Sequence, residues 1–414
     1  MTPVPDVVVT GMGATTPLGG DLPSTWSAAL AGESGARPLD ADWVERYGLP
    51  VTFAATIKVP PRDVLPVPEL KRLDPSAQYA MIAAREAWAD AGSPEVDGER
   101  LGVVVSSGIG GIWTTLDAWD TLREKGARRV LPMTVPMLMP NSPTAFVSLE
   151  LGARAGAHAL VSACASGAEA IGYAVEMIRS GRADVVVAGG TEACIHPMPV
   201  AAFAASRTLS LRNDDPQAAS RPYDTDRDGF VLGEGAGIVV LESAAHAAAR
   251  GARVYAMVSG VGLSSDGYHI TSPEPSGDGQ IRAMRAALED SGVAARDVVH
   301  VNAHATSTVV GDLIEARSIR GLLGDEADHV VLSATKSMTG HLLGGAGALE
   351  TIFTVLALHE RTAPPTINVD NPDPELVLDL VRATPRPLPE GQIAAVNNSF
   401  GFGGHNVALV VTSV

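Results

Sequence analysis

Short strings rich in β-branched residues alternate with longer segments of helical periodicity along this chain of 414 residues. Such alternation predicts an α/β protein, in which helices cover the faces of a sheet. The predicted strands are 7–10, 101–105, 158–162, 185–188, 237–241, 256–262, 298–302, 330–333, 394–397 and 407–411. The predicted helices are 76–91, 164–180, 279–291, 312–323 and 344–360. Segments rich in proline and charge predict loop-like insertions at 38–66, 113–143 and 206–229.

The two halves of the chain repeat one pattern, which indicates an internal duplication. In the first half an apolar run leads to Cys164 and then to a helix of small residues. In the second half an apolar run leads to Lys336 and His341 and then to a glycine-rich helix. We therefore predict an N-terminal half at 1–250, which carries the cysteine and the insertions, and a C-terminal half at 251–414, which carries both histidines.

Charge and cysteine content exclude several classes of function. With 47 acidic and 30 basic residues the net charge is −17, which argues against nucleic acid and against an anionic membrane surface as partners. The start of the chain lacks the basic region of a signal peptide, and no apolar stretch is long enough to span a membrane. Cys164 and Cys194 match neither a disulfide framework nor a metal site, so we expect a cytoplasmic protein without a bound metal.

Cys164 lies where the apolar run 159–161 meets a segment with helical periodicity. The apolar residues of that segment recur on one helical face, at Cys164, Ala168, Ile171, Val175 and Ile178. The pattern predicts a thiol in the first helical turn, where unpaired N–H groups and the helix dipole favour the nucleophilic thiolate. The alternative is a small buried side chain, which is the usual role of a lone intracellular cysteine.

Three further strings place polar residues where strands end. They contain His304 with Thr306 and Thr308, Lys336 with His341, and Phe402 between glycines. Each string alone has an ordinary structural explanation: a hydrogen-bonded histidine, a solvated lysine or a turn. Together they favour one site, because strand ends converge on a common face in α/β proteins.

These strings resemble β-ketoacyl-acyl-carrier-protein synthases of the condensing-enzyme, thiolase-like family, and most of all the elongating synthase II type. The matching strings are VTGMG at 9–13, SACASG at 162–167, RPYD at 221–224, DGFVLGEG at 228–235 and GFGG at 401–404. His341 distinguishes the chain from initiating synthases, which carry Asn there, and from thiolases, which use a second cysteine. The resemblance implies an α/β fold of the thiolase-like type, five-layered (αβαβα) and made of two duplicated halves.

The resemblance also implies a reaction. Cys164 would carry an acyl chain as a thioester, and loss of CO₂ from a malonyl thioester would supply the carbanion that attacks it. His304 and His341 would stabilise the enolate, with His304 acting as base or as hydrogen-bond donor. Backbone N–H groups of Cys164 and Phe402 would hold the oxyanion, and Lys336 would pair with Glu350.

Further site residues follow only from the resemblance. Thr306 and Thr308 would contact the phosphopantetheine arm, and Phe400 would lie beside a gating Phe402. Thr271 would be a further substrate-binding residue. The acyl-pocket residues would be Ile109, Phe203 and Leu342. Lys71, Arg72, Arg128, Arg129 and Arg207 would bind an acidic acyl carrier protein. The chain would be a homodimer without a cofactor of its own, the phosphopantetheine arriving on the carrier, and a monovalent cation could sit near Asn302, Glu350 and Asn397.

Two departures from the family pattern leave the pathway open. Val309 stands where many relatives have proline, and His405 replaces a common threonine. The alternatives are a ketosynthase of a specialised type II polyketide pathway and a non-catalytic chain-length partner subunit, and Cys164 argues against the second. A cysteine hydrolase is less well supported, since no Asn or Asp stands in a papain-like context.

Overall fold

The computed structural model describes residues 5–414, which form fifteen strands and fourteen α-helices. The strands are β1 Val7–Thr15, β2 Arg37–Pro38, β3 Phe53–Ala54, β4 Leu101–Ser106, β5 Gly156–His158, β6 Val185–Glu192, β7 Gly235–Ser243, β8 Ala256–Ser265, β9 Val298–Asn302, β10 Val331–Ser333, β11 Thr362–Ala363, β12 Asp379–Leu380, β13 Arg386–Pro387, β14 Ala394–Gly401 and β15 His405–Thr412. The helices are α1 Leu22–Leu30, α2 Asp42–Arg46, α3 Val67–Leu70, α4 Pro75–Asp90, α5 Ile112–Lys125, α6 Thr134–Leu138, α7 Ser142–Leu151, α8 Ser166–Arg179, α9 Pro197–Ala205, α10 Ala244–Ala249, α11 Asp278–Ser291, α12 Gly311–Leu323, α13 Lys336–Thr339 and α14 Ala346–His359.

Eleven strands form one continuous ladder whose order is β12-β10-β9-β14-β15-β8-β1-β7-β6-β4-β5. Its centre is an antiparallel contact between β1 and β8, where Val8 faces Met257 and Val9 faces Ala256. Outward from that contact, the strands of the first half follow in the order β1-β7-β6-β4-β5 and those of the second half in the order β8-β15-β14-β9-β10. In both halves the first strand along the chain is innermost, the last two come next, and the second and third lie outermost. The ladder therefore consists of two equivalent five-strand sheets, one from each half, with β12 added at one edge.

Helices form three layers around these two sheets. α4 and α7 pack on the outer face of the first sheet, and α11 and α12 pack outside the second. α8 and α14 contact each other and both sheets, and their apolar side chains belong to the largest core cluster. The result is a five-layered arrangement with two buried helices at its centre.

Small residues allow the two central helices to touch. A Cβ added to Gly167 of α8 would lie 3.0 Å from the Cβ of Ala348 on α14. A Cβ added to Gly347 of α14 would lie 2.9 Å from the Cβ of Ala168 on α8. Close approach of this kind excludes any larger side chain at the contact. Because α8 follows Cys164 and α14 follows His341, the contact brings the starts of both helices to one place.

Most of the predicted elements are present, but two predictions were wrong. The five predicted helices correspond to α4, α8, α11, α12 and α14 within a few residues, and nine of the ten predicted strands match. The strand predicted at 158–162 instead ends at His158, because residues 159–162 turn away to reach the Cys164 turn. The predicted insertion 113–143 is largely helical, as α5, α6 and a 3₁₀ turn at Ala127–Arg129.

Candidate active site

Cys164 lies in a 3₁₀ turn, Ala163–Ala165, directly before α8. Ala163 adopts a left-handed conformation with φ 51°, which is rare for a residue with a Cβ. The Ser166 hydroxyl supports the turn: it donates to the Ala163 carbonyl at 2.7 Å and accepts from the Ser162 N–H at 3.0 Å. The thiol therefore sits on a constrained turn one step before the helix, and not in its first turn as the sequence predicted.

The glycine-rich segment after β14 packs directly against this turn. A Cβ on Gly401 would lie 2.4 Å from the Ser162 carbonyl oxygen and 3.2 Å from the Cys164 nitrogen, so only glycine fits there. This approach brings the next residue, Phe402, to the thiol. The backbone N–H groups of Phe402 and Cys164 are close enough to the thiol to lower its pKa.

The thiol is 8% exposed, and its surroundings favour the protonated form. Burial raises the pKa of Cys164 to about 11, and the charge of Glu192 raises it further, against the opposing effects of the two N–H groups and Lys336. The predicted stabilisation of the thiolate by the helix start was therefore wrong for the resting site. Here desolvation outweighs the backbone dipoles.

Lys336 connects His304 to a buried carboxylate. Its ammonium group is 2.5 Å from Glu350 Oε1 and 3.3 Å from His304 Nδ1. An ammonium has only donors, so Nδ1 of His304 must accept and the ring proton of neutral His304 must be on Nε2. Burial raises the pKa of Glu350 to about 7 in spite of the neighbouring Lys336.

Both histidines are held neutral. Desolvation, followed by the positive charge of Lys336, lowers the pKa of His304 and of His341 well below 6.5. Their ring centroids are 5.4 Å apart with the planes at 86°. His341 also packs edge-on against Phe230, and His304 against Phe400.

A single cavity of about 590 Å³ joins these groups. Of the residues proposed from sequence, those lining it are Cys164, His304, His341, Phe402, Thr306, Thr308, Thr271, Ile109, Phe203, Phe400 and Arg207. Lys336 and Glu350 lie behind the histidines, buried and away from the cavity surface. Leu342 is displaced from its expected place: it is fully buried and packs over Gly233 and Gly235, so it does not line the cavity.

The proposed carrier-binding residues are exposed, and one of the five lines the cavity. Arg207 lines the cavity, whereas Lys71, Arg72, Arg128 and Arg129 do not. All five are exposed, and within residues 5–414 none of them forms a salt bridge. They are thus available to an acidic partner.

Two buried glutamates of the site were missed by the sequence analysis. Glu315, on α12, accepts hydrogen bonds from the N–H groups of His304 and Ala305 and from the Asn398 amide, at 2.8–3.0 Å. Glu192, at the end of β6, also lines the cavity. Neither stands in a pattern typical of a site, so only their spatial neighbours reveal them.

Residues 5–414 contain no cluster of three or more His, Cys, Asp or Glu side chains arranged to hold a metal ion. No helix among them is both long and apolar enough to cross a membrane.

The chain is similar in architecture to three solved structures described as ketosynthases or a β-ketoacyl synthase. A chain of a complex described as a type II PKS acyl-carrier protein with its ketosynthase bound to the hexaketide superposes with a TM-score of 0.91, at 31% identity and full coverage of both chains. A β-ketoacyl synthase from Burkholderia phymatum STM815 gives a TM-score of 0.90 at 35% identity, covering 99% of this chain and 100% of that one. The fold is thiolase-like, and the protein is an acyltransferase of the condensing-enzyme class.

Sequence relatives narrow this class. Models of the β-ketoacyl synthase N-terminal and C-terminal domains match residues 5–247 and 255–370. The chain is 47% identical over 408 residues to the 3-oxoacyl-[acyl-carrier-protein] synthase 2 of Staphylococcus aureus (strain COL), covering 98% of this chain and 97% of the relative. It is 44% identical over 410 residues to the enzyme of the same name from Synechocystis sp., with 97% of each covered. The chain belongs to the β-ketoacyl synthase family.

Proposed function

We propose that this enzyme elongates an acyl chain by two carbons, through decarboxylative condensation of malonyl-acyl carrier protein with an acyl thioester on Cys164. The observation that carries the proposal is the sharing of one cavity by a buried thiol, two neutral imidazoles and two backbone N–H groups. The names of the relatives at 44–47% identity support the carrier-bound substrate.

The first half-reaction moves the acyl group to the enzyme. The Cys164 sulfur attacks the acyl thioester carbonyl, the new carbon–sulfur bond forms, and the carrier thiolate leaves and takes up a proton. Because the resting thiol is protonated, its proton must pass to a base during attack. The base at hand is the neutral imidazole of His341, which lines the same cavity, because Nε2 of His304 already carries a proton.

The second half-reaction begins with loss of CO₂ from the malonyl group. The electron pair of the broken carbon–carbon bond passes into an enolate, whose oxygen needs hydrogen-bond donors. The contact with Lys336 leaves Nε2–H of His304 free to donate, and we assign His304 as a donor and not as a base. His341 supplies the second donor to the thioester oxygen.

Carbon–carbon bond formation completes the cycle. The enolate carbon attacks the acyl-Cys164 carbonyl, and the resulting oxyanion accepts from the N–H groups of Cys164 and Phe402, which lie near the sulfur in the free site and lower its pKa. Collapse of this intermediate releases the Cys164 thiolate and a β-ketoacyl carrier protein. Backbone donors need no reorientation during the reaction, so their contribution is preorganised.

The phosphopantetheine arm would lie along Thr306 and Thr308, whose hydroxyls are 3.2 Å apart at the cavity wall. The loop that carries them is fixed from below by Arg227, which donates to the carbonyls of Thr308 and Val309 at 3.1 and 2.8 Å. A buried arginine with a full set of acceptors restrains a loop well. The threonines are thereby held ready for a polar arm.

Homodimerisation is part of the proposal, and the free edge of the first sheet supports it. β5 pairs only with β4 within the described residues, so its outer edge has unpaired backbone groups. α5, α6, α7 and β5 form a connected series of contacts at this edge. Large apolar side chains are exposed along it, at Trp119, Leu131, Val135, Leu149 and Val161. A second copy pairing at β5 would cover them.

We also propose a monovalent cation beside Glu350. Glu350 Oε2 and Asn397 Oδ1 are buried without a hydrogen-bond partner in residues 5–414, and Asn302 contacts the Glu350 carbonyl. Oxygen ligands of this kind fit a hard cation, which would satisfy them without chemistry of its own. Potassium or sodium should raise the melting temperature relative to choline at equal ionic strength, and an equal melting temperature would refute the site.

Product analysis tests the proposed function. Purified enzyme is supplied with malonyl-acyl carrier protein and a panel of acyl carriers of increasing chain length, and the carrier-bound products are identified by mass. We expect a β-ketoacyl product two carbons longer than the primer, and none with Cys164→Ala. Repeated elongation to a poly-β-ketone would favour the polyketide alternative, which is supported by the 31% identity to a chain of the type II PKS complex.

A further inference from the structure

Glu192 is a buried carboxylate that the proposed reaction does not use. It ends β6, is 0% exposed and lines the active-site cavity. Within residues 5–414 it forms no salt bridge, although an unpaired buried charge is costly. Burial accordingly raises the pKa of Glu192 to about 7. Because burying this carboxylate is unfavourable, we expect Glu192 to have a role in the site.

Its hydrogen bonds join two segments that come from opposite halves of the chain. From the loop after β4, the Ser107 hydroxyl donates at 2.6 Å and the N–H groups of Gly108 and Ile109 at 2.8 and 3.4 Å. From the turn after His341, the N–H of Gly344 donates at 3.1 Å. One carboxylate thus supplies the acceptors for both segments.

The segments around the Glu192 carboxylate are packed so closely that glycine is required at two positions. A Cβ on Gly108 would lie 2.9 Å from Glu192 Oε2 and 3.2 Å from the carbonyl of Ala163, the residue before the nucleophile. A Cβ on Gly344 would lie 2.3 Å from the Gly108 nitrogen. The loop, the turn and the Cys164 segment therefore converge on Glu192, and a shift of one moves the others.

Ile109 makes this arrangement relevant to the substrate. It belongs to the loop that Glu192 holds, it lines the cavity, and 40% of its surface is exposed there. Phe203 and Leu343 line the same cavity. Leu343 belongs to the apolar cluster that contains Cys164, and Phe203 packs against that cluster. Ile109 therefore contributes apolar surface to the cavity into which the Cys164 thiol opens.

We propose that Glu192 is a positioning residue, which fixes the Ser107–Gly110 loop against the Gly344 turn and thereby determines the acyl chain length that Cys164 accepts. The proposal rests on the proposed function, since it concerns the same thioester. Glu192 acts through Ile109 and touches no reacting atom in this account.

The test compares Glu192→Gln with Glu234→Gln. Glu234 is a matched control, because it is also a buried carboxylate with a pKa raised to about 7 by burial, yet it contacts Ile57 and Tyr79 and does not line the cavity. Glutamine at 192 keeps the size but turns one acceptor into a donor facing N–H groups. Ser107→Ala is the second variant in case Glu192→Gln does not fold: it leaves the carboxylate but removes one donor to it, together with the acceptor for the Gly110 N–H.

The primary readout is the ratio of kcat/KM for long and short acyl-carrier substrates. We expect Glu192→Gln and Ser107→Ala to change this ratio about tenfold, the effect of gaining or losing about one to two methylenes of pocket, while Glu234→Gln leaves it as in wild type. An unchanged ratio in folded Glu192→Gln or Ser107→Ala, or an equal change in Glu234→Gln, would overturn the proposal. Absence of condensation by the wild type would instead refute the proposed function.

The pH dependence of Cys164 alkylation is a second readout, which a purely structural role would not move. The titratable and charged groups near the thiol are Glu192, which raises its pKa, Lys336, which lowers it, and the neutral His304 and His341 of the same cavity. Cys194 lies against Glu192 as well. Removing the negative charge in Glu192→Gln should shift the alkylation profile to lower pH. A profile identical to that of Glu234→Gln would count against the proposal.

Discussion

The protonated state of Cys164 is the residue-scale feature with the clearest consequence. A thiol whose pKa is raised to about 11 by burial contains little thiolate at neutral pH. The rate of alkylation by iodoacetamide should therefore still be rising with pH above the ordinary thiol value of 9.0. Mass spectrometry of the modified peptide separates Cys164 from Cys194, which is fully buried. A plateau below that value would show that the helix start stabilises the thiolate after all.

The Lys336–Glu350 pair has two roles that a double variant can separate. Lys336→Met leaves Glu350 buried without its partner, which costs about 3–5 kcal/mol of unfolding free energy, and it also removes the donor to His304 Nδ1. Adding Glu350→Leu removes the uncompensated carboxylate and should recover much of the stability. Condensation should stay low in both variants, because His304 no longer has a fixed tautomer.

Denaturant unfolding and steady-state kinetics on the same preparations check these two effects. Recovery of full activity along with stability in the double variant would show that Lys336 acts only through stability. His304 is expected to be neutral in the wild type, so the NMR resonances of its imidazole should show no titration near 6.5, whereas the buried carboxylates Glu192 and Glu350 titrate with a pKa of about 7.

At the scale of elements, the 3₁₀ turn Ala127–Arg129 after α5 tests the carrier-protein surface. Arg128 and Arg129 are exposed there and make no salt bridge within the described chain. Changing both to Glu should raise KM for acyl-carrier substrate about tenfold or more at low salt, with less effect at high salt, since such attraction is screened. Alkylation of Cys164 by a small reagent should not change.

The control for that variant carries the same charge change elsewhere. Arg154 and Arg182 are exposed and precede β5 and β6, at the opposite end of these strands from the cavity. Reversal of both to Glu should leave KM for the carrier substrate within about twofold of wild type. If the two double variants raised KM equally, net charge and not a defined surface would be responsible.

Elements were predictable from the sequence where one face is continuously apolar. α8 and α14 show helical periodicity because each packs against both sheets, and β6 and β7 are apolar on both faces because helices cover them. α5 was missed because none of its residues is buried, so its pattern is that of a charged loop. The end of β5 was missed because the Ser166 contacts bend residues 159–162 toward the nucleophile.

The candidate site was predictable only in part, and for a related reason. Cys164, His304, His341 and Phe402 follow strand ends, which is a recognisable context. Glu192 and Glu315 matter through backbone N–H groups that are distant along the chain, and no spacing in the sequence records such contacts. Leu342 was misplaced because adjacent residues of one turn point to opposite sides of it.

At the scale of the whole molecule, the free edge of the first sheet predicts association. Val161 is 55% exposed just beyond β5, and Val161→Asp should place a charge inside the proposed contact between two copies. Sedimentation equilibrium should show a dimer for wild type and weaker dimerisation for the variant. Val377→Asp, an exposed valine beside β12 at the opposite edge, is the control and should remain as dimeric as wild type.

A wild-type monomer at all concentrations measured would contradict that assembly. If Val161→Asp and Val377→Asp weakened the dimer equally, the interface would lie elsewhere or the effect would come from net charge.

The central claim is that Cys164 carries the acyl chain that is elongated. The most direct measurement is the intact mass of the enzyme after incubation with an acyl carrier protein, and again after malonyl-acyl carrier protein is added. The account predicts a mass gain of one acyl group, mapped to the peptide of Cys164, which disappears as a β-ketoacyl carrier two carbons longer is formed. Condensation without acylation of Cys164, or an acyl group that malonyl carrier cannot discharge, would contradict it.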